Sequence, residues 1–209
     1  MGGRNNQLSE WSSDYSFAGF GRLSQLFYSK MIYSPAEDSF LIEKYIKQFS
    51  KDKSVLDMGT GSGILAETAL AAGAKSILAV DINPEAVQHV NKKGISSRVS
   101  DLFSEVPESF DIIIFNPPYL PRAESEDFES ETITTGGFQG HEIIQRFLQE
   151  AKSHLDSDGK ILLLFSSLTG KEKVDDLIIN ENYKFKQLAS KKLFFEELFV
   201  YEILINQNL

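Results

Sequence analysis

What most constrains this chain is the order in which its strand-length and helix-length segments follow one another. SVLDMG, SILAVD, SSRVSD and FDIIIFN read as strands, and between them lie helical stretches from about Ser62 to Ala72 and from Pro84 to Lys93. Strands joined through helices pair in parallel, with helices covering both faces of the sheet. Beyond FDIIIFN the order is an acidic, glycine-bearing loop, the helical HEIIQRFLQEAKSHL, the apolar strand KILLLFSS, a helix near 170–180 and strands near 184–191 and 197–205. The last two strands are joined too closely for a crossover, so they are antiparallel. The expected fold class is α/β, a mostly parallel sheet with helices on both faces and an antiparallel last strand.

Upstream, SPAEDSFLIEKYIKQF reads as a helix with Ser34 as cap, Pro35 at the first helical position and Glu37 completing a capping box. This divides the chain into an N-terminal extension, 1–33, expected to pack only in part, and a catalytic body, 34–209. A length of 209 residues is sufficient for one domain with a substantial core. Cysteine is absent, which excludes disulfides, thiolate chemistry and cysteine-bound zinc in this chain. The first residues lack a basic start followed by an apolar block, and no apolar run reaches membrane-spanning length, so a soluble cytoplasmic protein is expected. Thirty acidic against 21 basic side chains give a net charge of -9, which disfavours tight nucleic-acid binding by the chain alone.

LDMGTGSGILA follows the first strand and opens a helix, the arrangement in which small residues admit a ligand to the backbone and free amides face it. Gly61, Gly63 and Ala66 satisfy a relaxed dinucleotide pattern, with Asp81 twenty residues past Gly61, so a nicotinamide-dependent oxidoreductase is one alternative. Asp57 opposes it: a carboxylate just ahead of the glycines repels a pyrophosphate and welcomes an ammonium group. S-adenosylmethionine carries an ammonium there and no phosphate. Asp81 is placed to accept from both ribose hydroxyls and Asp101 from an adenine amino group, with Leu102 beside the ring. Each of these acids alone would also serve as a helix or turn cap.

FDIIIFN runs into PPYLP, and two prolines stiffen the chain and leave carbonyls unused. At the carboxyl end of the fourth strand, Asn116 and the Pro117 carbonyl can hold both hydrogens of a planar amine or amide, aligning its nitrogen with the methyl carbon of a sulfonium. Tyr119 can cover that group by stacking. Neither a metal nor a nucleophilic serine is called for: His89, His141 and His154 lack ligand spacing and are expected as surface or helix-end residues, and GTGSG is not a nucleophile elbow.

DMGTGSG, DINPEA, SDLF and FNPPYLP, in this order and spacing, resemble a Rossmann-like, seven-stranded class I S-adenosylmethionine-dependent methyltransferase of the amino-methylating group. Within it, YSPAEDSFLIEKYI and GGFQGHEIIQRFL resemble the HemK family of glutamine N5-methyltransferases. The resemblance implies that Asp57, Gly59, Gly61 and Gly63 hold the methionine end of the cofactor, Asp81 the ribose, and Asp101 and Leu102 the adenine. It further implies that Ser39 touches the cofactor and that Asn116 with Pro117 orients a glutamine amide. The family acid at Asp57 is commonly glutamate, one methylene longer. Bacterial members carry a helical substrate domain that 33 residues cannot supply, so the chain is similar to the short eukaryotic and archaeal branch. That branch implies a small zinc-binding activator protein along the third strand, at the sheet edge, and a Gly-Gly-Gln glutamine of a class I translation release factor as substrate. The nearest rival is amino methylation of adenine or guanine in RNA or DNA, which would need Arg122 gathered with Arg4, Arg22 and Lys30; a catalytically silent scaffold is a third class. RAESEDFESE, 122–131, carries five acids against one arginine and is either a solvated loop or a surface for a basic protein.

Overall fold

The structure, a computed structural model, describes residues 37–117 and 141–207. Extension 1–33, the Ser34–Pro35 cap, Tyr119 and the acidic run 122–131 lie outside the described residues. Helix α1 (Glu37–Phe49) turns Ile42 and Ile46 fully inward, four residues apart on one face, with Leu41, Tyr45 and Phe49 flanking them. Next come β1 (Ser54–Met58), α2 (Ile64–Ala71), β2 (Ser76–Asp81), α3 (Pro84–Lys92), β3 (Ser97–Val99) and β4 (Phe110–Phe115). After the undescribed stretch follow α4 (Glu142–Ala151), β5 (Leu155–Ser166), α5 (Lys171–Asn180), β6 (Tyr183–Lys192) and β7 (Glu197–Ile205).

The seven strands form one sheet in the order β3-β2-β1-β4-β5-β7-β6. The first five pair in parallel, and β7 inserts between β5 and β6, antiparallel to both. Period-two alternation sends Val55, Ile112, Ile114, Leu162 and Leu164 to the α1 and α2 face. Leu56, Ile113, Phe115, Ile161, Leu163 and Phe165 go to the opposite face, where Phe147 and Leu148 of α4 and Val174 and Ile178 of α5 cover them. Strands apolar on both faces are what a covered parallel sheet requires.

Three boundaries differ from expectation. Helix α2 begins at Ile64, because Gly63 before it adopts φ 81. HEIIQRFLQEAKSHL ends its α-helix at Ala151, and Lys152–His154 tighten into a 3-10 turn. Strand β5 begins at Leu155, ahead of KILLLFSS, because Leu155 pairs with Phe110 before a register shift brings Lys160 opposite Ile112. Gly159 lies in that irregularity, where a Cβ would stand 2.9 Å from the carbonyl oxygens of Asp156 and Phe110. No helix among the described residues is long and apolar enough to cross a membrane.

Candidate functional site

The carboxyl ends of β1, β2, β3 and β4 share one edge of the sheet. β1 stops at Met58, opposite Phe115 of β4, and the chain enters α2 through Gly59, Gly61 and Gly63 at φ 66, 51 and 81. Only glycine adopts such values at little cost, and at Gly63 space adds a second demand: a Cβ would lie 2.8 Å from Val90 Cγ2 of α3. The turn is pinned from three sides. Thr60 donates its N–H to the Val80 carbonyl of β2 (2.9 Å), and Gly63 donates to the Thr60 carbonyl (2.8 Å). Lys93, just past α3, donates Nζ to the Ser62 carbonyl and to Glu67 Oε2, both at 2.8 Å.

Asp57 sits beneath this turn and is 1% exposed. Its Oδ2 accepts from Thr60 Oγ1 (2.6 Å) and Ala66 N–H (3.2 Å), while Oδ1 is buried without a partner. Burial pushes the carboxyl up to about 7, against the lowering by those two donors. A buried acid with one bare oxygen is half-prepared for a cation: near neutral pH it is only partly ionised, and arriving positive charge would complete the ionisation.

Asp81, at the end of β2, accepts from Gly61 N–H on Oδ2 and from Asn83 N–H on Oδ1, each at 2.9 Å. Burial raises its pKa, and the backbone donors oppose the rise. Each oxygen retains a second lone pair, so this carboxylate can serve a diol while it braces the glycine turn. Asn83 also caps α3, accepting from Glu85 N–H at 2.9 Å, with Pro84 at the first turn.

Past β3, Asp101 is half-exposed and pairs through Oδ2 with Arg146 Nη2 of α4 at 3.0 Å. Leu102 is buried at φ 47. Ser100 maintains that unusual backbone: its Oγ donates to the Leu102 carbonyl (2.6 Å) and accepts from Glu105 N–H (3.1 Å). Past β4, Asn116 is half-buried and Pro117 buried. The ring of Phe115 just before them stacks on Phe147 at 4.2 Å, which fixes the end of the strand. Ser39 is buried in the first turn of α1, the helix that packs on α2.

The fold thus gathers Asp57, Gly59, Gly61, Gly63, Asp81, Asp101, Leu102, Asn116 and Pro117 at the carboxyl edge of four adjacent strands. Tyr119 lies outside the described residues. The histidines do not converge: His89 is in the last turn of α3, His141 is a buried residue at the start of α4, and His154 stacks on Phe103 at 4.4 Å. Among the described residues no group of three or more His, Asp or Glu is arranged to hold a metal. Sequence reasoning passed over Thr60, Lys93, Ser100 and Arg146. Thr60 is legible inside the glycine motif, three residues from the acid it contacts. Lys93 and Arg146 are not, because their partners lie 31 and 45 residues away.

The family and the fold recur in known proteins. The family described as the methyltransferase small domain matches residues 36–195. MJ0928 of Methanocaldococcus jannaschii, provisionally named a protein N5-glutamine methyltransferase, is 40% identical over 177 residues, covering 81% of this chain and 89% of its own length. The release factor glutamine methyltransferase of Koribacter versatilis is 34% identical over 164 residues, 66% of this chain and 59% of that protein. Among solved structures, the E. cuniculi Mtq2-Trm112 complex, responsible for methylation of the eRF1 translation termination factor, superposes with a TM-score of 0.69 at 24% identity, covering 83% of this chain and 98% of that one.

Proposed function

From the premise that this chain belongs to the methyltransferase small domain family, alongside the protein-glutamine N5-methyltransferases, we propose that it transfers a methyl group from S-adenosylmethionine to the side-chain nitrogen of a protein glutamine. The observation that carries the reading is the pairing of two unlike groups on adjacent strands. Asp57 of β1 offers a buried carboxylate oxygen without a partner, and one strand over, β4 ends in Asn116 and Pro117.

The residues fit this cofactor and not a dinucleotide. Asp57 Oδ1 lacks a partner, and the methionine ammonium would supply one, whereas a pyrophosphate would meet a buried acid. When bound, the cofactor supplies a methyl group on a sulfonium that is already a leaving group. Gly59, Gly61 and Gly63 would admit its methionine end to bare backbone. Asp81 would accept from the ribose hydroxyls with its remaining lone pairs, and Asp101 and Leu102 would flank the adenine, Asp101 while paired with Arg146. Ser39 would close the near side.

Asn116 Oδ1 and the Pro117 carbonyl would accept the two hydrogens of the glutamine amide; as the nitrogen–methyl bond forms, the methyl–sulfur bond breaks to leave a neutral thioether, and one of the two amide protons passes to water. An amide nitrogen is a poor nucleophile because its lone pair is delocalised, so fixed acceptors that hold it in line and draw on its N–H bonds are the chief contribution left to the protein. Tyr119 would stack over the amide plane. No metal takes part in the scheme.

The substrate proposed is the Gly-Gly-Gln glutamine of a class I translation release factor, supported by the name of the Koribacter relative. Such a substrate would place the protein in the cytoplasm, with 34–209 as catalytic body and 1–33 as extension. The partner proposed is a small zinc-binding activator along β3. That strand has three residues at the sheet edge, with Val99 43% and nearby Ile82 53% exposed. Transfer of labelled methyl to a panel of release factor, tRNA and DNA, with and without the activator, tests the reading. Label on the release factor, lost when its Gly-Gly-Gln glutamine is replaced, is the expected result; label on nucleic acid alone would transfer the mechanism to the rival substrate.

A further inference from the structure

The most exposed large apolar side chains among the described residues are adjacent. Phe194 and Phe195, 91% and 84% exposed, occupy the turn between β6 and β7 and pack edge to face, centroids 4.5 Å apart. The turn is built to project. Leu193 N–H donates to the Glu196 carbonyl at 2.8 Å, closing the tip, and Glu197 N–H donates to Ser167 Oγ at 2.9 Å, tying its base to the 3-10 turn after β5. Leu168 of that 3-10 turn (Ser167–Thr169) is itself 44% exposed. Aromatic pairs left in water on a braced turn contribute nothing to the core, and exposed aromatics of this kind are the residues that dominate protein interfaces.

The direction of projection identifies the occupant. Phe115 of β4 pairs with Leu163 of β5, which pairs with Tyr201 of β7. β7 runs antiparallel to both, so its first residues and the tip before them stand beyond the carboxyl edge, on the side of Asn116 and Asp57. Counting about 3.3 Å per residue from Val200 to Phe195 and about 4.8 Å per strand, the tip stands roughly 15 to 20 Å from the acceptor position. Any polypeptide that presents a glutamine to Asn116 approaches along this side. Lys191 and Lys192 before the tip and Glu196 and Glu197 after it cancel in charge, so the turn has no net attraction for a phosphate backbone or an anionic lipid surface.

We propose that the Phe194–Phe195 tip is a second docking point for the protein substrate, engaging an apolar patch on the folded domain that carries the target glutamine, remote from the glutamine itself. The inference rests on the protein-glutamine reading above. A consequence is selectivity by architecture: a heptapeptide centred on the glutamine reaches roughly 10 Å to either side and falls short of the tip, whereas a folded domain spans the gap.

The test compares wild type with the Phe194→Ser/Phe195→Ser variant on two acceptors, a folded release factor and a heptapeptide centred on its glutamine, with S-adenosylmethionine affinity and melting temperature measured alongside. The expected result is about a thirtyfold loss in kcat/KM on the folded protein, carried by KM, with activity on the heptapeptide and cofactor affinity unchanged. The single variant Phe194→Ala, the milder change, should lose several-fold on the folded protein only. An unchanged kcat/KM on the folded protein, or an equal loss on both acceptors, would overturn the proposal. So would a wild-type dimer that the variant converts to monomer, since the tip would then serve a second copy. Wild type inactive on both acceptors even with the activator present would instead refute the glutamine reading and take this inference with it.

Discussion

The two flanks of the sheet reach the same edge built from different material. On one flank, β1, β2 and β3 are five, six and three residues long and end in turns where glycines and Leu102 adopt positive φ, a buried carboxylate has an unpartnered oxygen and a second carboxylate holds backbone amides. On the other, β5, β6 and β7 are twelve, ten and nine residues long, and β5 and β7 are largely buried. A polar network extends that second flank: Tyr201 donates to Asp175 Oδ1 at 2.8 Å, and Lys171 donates to Asp175 Oδ2 at 2.7 Å while lying over the rings of Phe199 and Tyr201. There the acid has two partners of its own. The contrast lies in the two acids: Asp175 on the second flank is satisfied by its own neighbours, while Asp57 on the first keeps a buried oxygen open to a ligand; on the second flank the unpartnered oxygen is Glu196 Oε2, out in the β6–β7 turn. β4, which lies between them, leads into Asn116 and Pro117, the proposed acceptor residues.

Substitutions at the edge separate these roles. The largest effect is expected at the boundary strand: Asn116→Ala should lower kcat by about a hundredfold or more while calorimetric affinity for S-adenosylmethionine stays the same. Turnover that survives the change would remove Asn116 from the acceptor site.

Acidity sharpens the contrast next. The folded carboxyl of Asp57 titrates at about 7, against an ordinary 3.8. A cationic ligand binds the ionised form, so affinity should fall by about tenfold per pH unit below about 7, and binding near pH 6 should release a proton. For the free protein the sign is reversed. With the folded pKa raised above the unfolded one, the stability owed to this group is present below about 3.8 and lost as pH rises through about 7. Thermal melts should therefore show a larger gain on adding cofactor at pH 8 than at pH 5.5; an equal gain at both would contradict the assignment of Asp57 to the ammonium.

Asp81→Ala should weaken cofactor affinity by about tenfold, since a charged acceptor is lost together with the brace on Gly61. Turnover at saturating cofactor should change far less, and unchanged affinity by calorimetry would count against the ribose role. The smallest effect is expected at Lys93, which reaches the ligand only through the Ser62 carbonyl. Lys93→Ala should raise the cofactor KM by roughly three- to fivefold with kcat unchanged, and Lys93→Arg should recover part of it. Because Lys93 and Glu67 are both partly exposed, the melting temperature should scarcely move.

Much of this edge was legible from local pattern. Strand–helix alternation was enough for the class, and the acids were singled out because each stands near the carboxyl end of a strand: Asp57 one residue before the end of β1, Asp81 at the end of β2 and Asp101 two residues past β3. Asn116 was found the same way, with prolines marking the stop. What stayed hidden depends on distance along the chain. The Lys93 clamp on Ser62 and the Arg146 pair with Asp101 form only after α3 and α4 have docked. The start of β5 was missed because Asp156, Ser157, Asp158 and Gly159 have no strand-like apolar pattern, while pairing of Leu155 with Phe110 draws the stretch into the sheet. The insertion of β7 between β5 and β6 was likewise unreadable, since an antiparallel pair has the same sequence pattern whichever member is inside.

The most direct measurement is tandem mass spectrometry of a release factor incubated with this protein and S-adenosylmethionine. A single methyl on the side-chain nitrogen of the Gly-Gly-Gln glutamine, absent when the Asn116→Ala variant is used, is the result predicted. A methyl on another residue type, or one that the variant transfers equally well, would contradict the account.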